Sequence, residues 1–88
     1  MGTDRHKAKA PRHLRVGILT VSSSRGIAED ESGRWIARAA TAEGHTVVFH
    51  QVVGDDAAVI AHTLTESLTT YHPDAVIVDG GTGLARAD

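Results

Sequence analysis

Three short apolar runs, separated by two segments of helical periodicity, leave this chain few architectures. The runs are Leu14 to Val21 (LRVGILTV), Thr46 to Val53 (TVVFHQVV) and Asp74 to Asp79. The second is rich in β-branched residues, which suit a pleated, packed surface. The first is nearly all apolar from Val16 on, the pattern of a strand covered on both faces. Between the first two runs, Asp30 or Ser32 can cap a helix, and Glu29, Asp30 and Glu31 suit its positive end. Trp35, Ile36, Ala39 and Ala40 recur at helical spacing and are expected to face the sheet, with Gly44 ending the helix as its C′ residue. After Gly54, Asp55 or Asp56 caps a second helix over roughly residues 56–70. Its stripe is Ala57, Ile60, Ala61, Leu64 and Leu68, and His72-Pro73 stops it. The order β-α-β-α-β predicts an α/β fold with a mostly parallel sheet and right-handed crossovers.

A chain of 88 residues builds one small domain. Trp35, Phe49 and Tyr71 are its only aromatic rings, so the core is predicted to be aliphatic. Without cysteine there are no disulfides and no thiolate metal sites. The histidines show no ligand-type spacing and read as surface or strand residues. Residues 1–13 carry Arg5, Lys7, Lys9 and Arg12 against Asp4, a net of +3, whereas residues 14–88 are net −5. Such a basic arm could touch nucleic acid or an acidic partner, but its near-lack of apolar residues predicts a disordered, solvated tail. It has no apolar run after its charges, so it does not read as a secretory signal. No segment has the apolar length of a membrane span. The expected location is the cytoplasm, with neither nucleic acid nor membrane as partner.

In parallel sheets, ligands bind at the carboxyl ends of the strands. Three loops leave that edge here: Ser22 to Gly33, Gly54-Asp55-Asp56, and Gly80 to Asp88. Gly80, Gly81, Thr82 and Gly83 form a backbone loop open to close approach. Its N–H groups either converge on a phosphate or simply make a tight turn. Thr82 either donates to a phosphate oxygen or shapes the turn. The loop is neither a Walker loop nor a dinucleotide fingerprint. Asp88 follows Gly83 by five residues; a carboxylate there is either a Mg²⁺ ligand between phosphates or an exposed acid. Asp79 either caps the turn or adds a second carboxylate. Thr20, Ser22, Ser23 and Ser24 leave the first strand as a cluster of hydroxyls, suited to a phosphate or to Ser/Thr turns. Asp30 and Ser32 read as helix caps first and ligand contacts second.

Taken together, Leu19-Thr20-Val21-Ser22, Asp30-x-Ser32-Gly33 and Gly80-Gly81-Thr82-Gly83-x4-Asp88 resemble the MoaB/Mog family of molybdenum cofactor biosynthesis proteins. The run Ser22-Ser23-Ser24-Arg25 is closer to the MoaB branch. The resemblance runs from about residue 14 to residue 88 and implies a three-layer α/β fold, with residues 14–88 as the N-terminal half of the domain. It implies molybdopterin and ATP as substrates, Mg²⁺ as the metal, and a homotrimer or hexamer when full-length. The implied reaction is Mg-ATP-dependent adenylylation of molybdopterin. By position, Gly80, Gly81, Thr82 and Gly83 would line the nucleotide–phosphate pocket. Asp88 would be the catalytic, metal-binding acid, and Thr20, Ser22, Ser23, Asp30 and Ser32 would lie along the same rim. Members of the family are about twice this length, so the expectation is that this stretch alone is inactive. Two other readings remain open: a molybdopterin-binding or assembly module without catalysis, and a CinA-type nucleotide-processing domain. A flavodoxin-like flavin site is disfavoured, because few rings are present to stack on a flavin.

Overall fold

The computed structural model describes residues 13–22, 26 and 30–80. The basic tail up to Pro11-Arg12, the segment containing Ser23, Ser24 and Arg25, and the Gly81 to Asp88 stretch lie outside the described residues. The element order is β1 (Arg15–Val21), α1 (Glu31–Ala42), β2 (Thr46–Val53), α2 (Ala57–Tyr71) and β3 (Ala75–Gly80). The three strands form one parallel sheet in the order β2-β1-β3. This is the alternation expected from sequence. Chain reversals between successive strands are made by the helices, as parallel pairing requires.

The helix ends follow local chemistry. Asp56 caps α2 by accepting from the N–H groups of Ala58 and Val59 at 2.9 and 3.1 Å. Gly44, just past α1, takes φ 93°, a conformation that a side chain would strain. At the end of α2, His72 adopts the left-handed conformation (φ 49°) and its N–H reaches the Leu68 carbonyl. The Pro after it prevents continuation. The start of β1 is fastened to this corner: Arg15 N–H donates to the Asp74 carboxylate at 2.8 Å, and its guanidinium reaches the carbonyls of His72 and Tyr71.

Central strand β1 carries the core. Val16, Ile18 and Leu19 are buried, together with Phe49 of β2. Alternation along β1 sends Thr20 toward α1 and Gly17 toward α2. On the α2 face, the Phe49 ring fills the space over Gly17: a Cβ there would lie 2.1 Å from the ring. Phe49 also meets Tyr71 of α2, with ring centroids 5.3 Å apart. Among the described residues no helix is long and apolar enough to cross a membrane.

Two packing expectations fail. Trp35, expected in the core, is 65% exposed. Helix α1 packs on β1 and β2, while Trp35 sits beside Ile77 of β3, the outer strand among the described residues. The predicted stripe of α2 is also rotated. Ser67 is buried and Ile60, Thr63, Leu64 and Tyr71 are half-buried, whereas Ala57, Ala61 and Leu68 are exposed. The Phe49–Tyr71 contact draws the helix over β2, so the other flank of its apolar surface is left uncovered.

The Gly17–Phe49 fit yields a test. Gly17→Ala is expected to destabilise the chain by about 1–3 kcal/mol through overpacking. Gly54→Ala, where a Cβ meets nothing within 4 Å, is expected to change stability by less than about 0.5 kcal/mol. Urea denaturation followed by circular dichroism compares the two; equal effects would refute the packing account.

Candidate functional site

The residues that matter gather where β1 and β3 end and α1 begins. Asp30 is the N-cap of α1, and its Oδ1 accepts the Gly33 N–H at 3.0 Å. Its Oδ2 takes two further contacts, from the Thr20 hydroxyl at 2.6 Å and from His50 Nε2 at 2.8 Å. Thr20 comes from β1 and His50 from β2, so one carboxylate joins two strands to a helix. An ionised carboxylate only accepts, which places a proton on His50 Nε2 in this contact. Asp30 is fully buried and Thr20 nearly so.

Burial of this kind raises a carboxyl pKa, because it penalises the charged form. Here the hydrogen bonds from Thr20, His50 and the Gly33 N–H, with the charge of His50, outweigh burial and lower Asp30 from 3.8 to about 2. Gly33 makes this possible. A Cβ at position 33 would lie 2.1 Å from Asp30 Oδ2 and 2.5 Å from His50 Nε2. In the Asp-x-Ser-Gly sequence, then, the acid caps and cross-links while the glycine leaves room for it.

Ser32, between them, faces the rim. Its hydroxyl donates to Asp79 Oδ2 of β3 and lies 3.5 Å from Asp30 Oδ1. Asp79 is paired in register with Thr20, and Gly80 with Val21. Gly80 is exposed, and a Cβ there would meet nothing within 4 Å. Ser22 continues β1, its N–H bonded to the Val53 carbonyl at 2.8 Å. Of the residues singled out from sequence, Thr20, Ser22, Asp30, Ser32 and Gly80 therefore converge on one edge. Ser23, Gly81, Thr82, Gly83 and Asp88 lie outside the described residues.

Sequence reasoning missed His50, which it placed among surface or strand histidines. Its position on the α1 face depends on the β1–β2 register, which shifts between Val16 and Gly17. Alternation within β2 alone gives no sign of that irregularity. Among the described residues no group of three His, Asp or Glu side chains is arranged to hold a metal. Asp30 is saturated by its donors and Asp79 stands singly at the rim, so these residues do not by themselves build a Mg²⁺ site.

The arrangement presents an open glycine backbone beside a strand exit, suited to phosphate oxygens, while the Ser32 hydroxyl proton is committed to Asp79. Comparison with known proteins shows the family. The family model described as "Probable molybdopterin binding domain" matches residues 17–88. The chain is 36% identical over 88 residues to "Molybdenum cofactor biosynthesis protein B" of Halalkalibacterium halodurans, covering all of this chain and 52% of the relative. It is 34% identical over 90 residues to "Molybdopterin adenylyltransferase" of Pyrococcus furiosus, with the same coverage. To the Escherichia coli (strain K12) "Molybdenum cofactor biosynthesis protein B" it is 34% identical over 74 residues, covering 84% of this chain and 44% of the relative. The chain thus spans about half the length of these relatives, and the match falls on their N-terminal half. No solved structure matches the chain.

The carboxylate network predicts a specific acid response. Because the Asp30 pKa is lower in the folded chain than its ordinary value, its contribution is present above pH 4 and is lost as pH falls toward 2. The lost stabilisation is about 2 kcal/mol. Asp30→Asn is expected to flatten the stability profile across that interval, as read by urea denaturation at a series of pH values. An unchanged slope would contradict the assignment.

Proposed function

Since the chain belongs to the family of probable molybdopterin binding domains, we propose that its rim is the phosphate-side half of a site for molybdopterin and ATP. Residues 14–88 contribute the N-terminal half of a domain that acts in molybdenum cofactor biosynthesis. The reaction is transfer of an adenylyl group. A phosphate oxygen of molybdopterin attacks the α-phosphorus of ATP, a new P–O–P linkage forms, and the α–β bond breaks to release pyrophosphate.

The observation that carries this reading is the Asp30 network. It places Ser32 beside Asp79 and Gly80 at the carboxyl edge of the sheet. Charge builds on the transferred phosphoryl group and on the departing pyrophosphate, and fixed donors stabilise it without reorganising. In this reading Ser22 and Ser23 supply hydroxyl donors, Ser32 positions Asp79 at the rim, and Gly80, Gly81, Thr82 and Gly83 supply backbone N–H groups. Thr20 and Asp30 act from beneath, holding the start of α1 in place. Asp88 is the proposed holder of Mg²⁺, which would supply positive charge to the phosphates. Homotrimeric or hexameric assembly and a cytoplasmic location belong to the same proposal and rest on the family.

The test joins residues 1–88 to the second half of the H. halodurans relative. With molybdopterin and Mg-ATP, this chimera is expected to release pyrophosphate and form adenylylated molybdopterin. Asp88→Ala is expected to lower the rate about a hundredfold or more, while the 88-residue chain alone gives no turnover. A chimera that binds molybdopterin but releases no pyrophosphate would favour a binding module instead. Undiminished turnover by Asp88→Ala would remove that residue from the chemistry.

A further inference from the structure

Two carboxylates stand within reach of one hydroxyl proton. Asp30 Oδ2 accepts from Thr20 at 2.6 Å and from His50 Nε2 at 2.8 Å, and its Oδ1 accepts the Gly33 N–H at 3.0 Å. The Ser32 hydroxyl lies 3.5 Å from that same Oδ1 but donates to Asp79 Oδ2. A serine has a single hydroxyl proton, so it serves one carboxylate at a time. Asp30 is fully buried, and leaving it short of a donor is costly. Asp79 is half-buried at the rim, where water can replace a lost donor. The Ser32 proton is therefore left to Asp79 only while other groups satisfy Asp30.

Of those groups, Thr20 and Gly33 come from β1 and α1, which pack on each other. His50 reaches in from β2, which does not pair with β3, because β1 lies between them. Two strand spacings of about 4.8 Å each separate His50's strand from Asp79's. The His50 ring is largely buried, and a Cβ on Gly33 would come within 2.5 Å of its Nε2. The ring thus occupies a slot that only glycine leaves open.

We propose that His50 is a positioning residue of the rim, which keeps Asp30 satisfied and so leaves the Ser32 proton to Asp79. Without the His50 donor, Ser32 turns to Asp30 Oδ1. Asp79 then exchanges a fixed donor for water, and its carboxylate is free to swing toward Gly80, the next residue along β3. A phosphate drawn to that glycine meets an unanchored negative charge, which opposes binding. His50 touches no substrate in this account. It acts across the whole sheet, through Asp30 and Ser32, on the charge beside the glycine exit.

The inference rests on the proposed phosphate role of the rim for its kinetic consequence alone. The proton placement is read on the 88-residue chain without ligand, from the side-chain carboxyl carbon signals of Asp30 and Asp79 at pH 7. His50→Leu is expected to move the Asp79 signal to the position it takes in Ser32→Ala. His50→Gln, whose amide can donate from near the place of Nε2, is expected to restore it. His50→Asn, whose shorter amide falls short of Asp30, is made alongside and carries the test if the leucine variant does not fold. Gln51→Leu, the next residue but on the opposite sheet face, is expected to leave Asp79 unmoved. In the chimera, His50→Leu is expected to raise KM for Mg-ATP about three- to tenfold, the size of one partly screened like-charge contact, with kcat within about twofold. In an Asp79→Asn background that penalty is expected to vanish, as coupling through Asp79 requires. An Asp79 signal unmoved in the His50 variants would overturn the proposal, and so would a KM penalty undiminished by Asp79→Asn. A chimera without turnover would count against the adenylyltransferase reading, while the carboxyl signals still decide the role of His50.

Discussion

One buried carboxylate holds the functional end of this molecule together. Asp30 accepts from β1 through Thr20, from β2 through His50 and from its own helix through Gly33. A buried charge without partners is expensive, and losing a single donor exposes that cost. Here all the contacts meet within one residue's reach, because Gly33 has no side chain to intervene. The same turn of helix carries Ser32 to Asp79 on β3. All three strands and the start of α1 are therefore fixed relative to one another at the edge where a parallel sheet binds its ligands.

Away from that edge the structure is unevenly finished. The core sits under β1 and β2, where Phe49 closes over Gly17 and against Tyr71. Toward β3 the apolar surface continues but has nothing to cover it among the described residues. The contrast separates two duties of the fold. The β1–β2 side supplies the packing that steadies Asp30, and the β3 side supplies the glycine exit and an open margin.

Much of this was legible in residue order because the signals are local. A cap at Asp30 or Ser32 and another at Asp55 or Asp56, Gly44 as the C′ residue and His72-Pro73 as a stop all follow from chemistry within one helical turn, and the structure selects Asp30 and Asp56. The strands were legible from runs of Val, Ile and Leu, and β2 matched its expected limits. Which apolar residues end up covered was not legible. Trp35 and Leu68 fit helical stripes in sequence, yet burial depends on how each helix is rotated on the sheet and on how far the sheet extends, which among the described residues is three strands. His50 escaped for a related reason: its partner lies twenty positions away and is reached only through the shifted register of β1 on β2.

The sequence by itself determined the alternation of strands and helices, the turns at which the helices begin and end, and the family to which the Asp-x-Ser-Gly and glycine-loop patterns belong. Each rests on interactions between residues close along the chain or on a motif readable in order. Only the tertiary structure decided that Asp30 is a buried cross-link rather than a surface cap. It also decided that His50 is one of that acid's donors and that Trp35 and Leu68 lie exposed among the described residues. Those outcomes depend on register and on the rotation of helices against the sheet, which are properties of distant segments brought together.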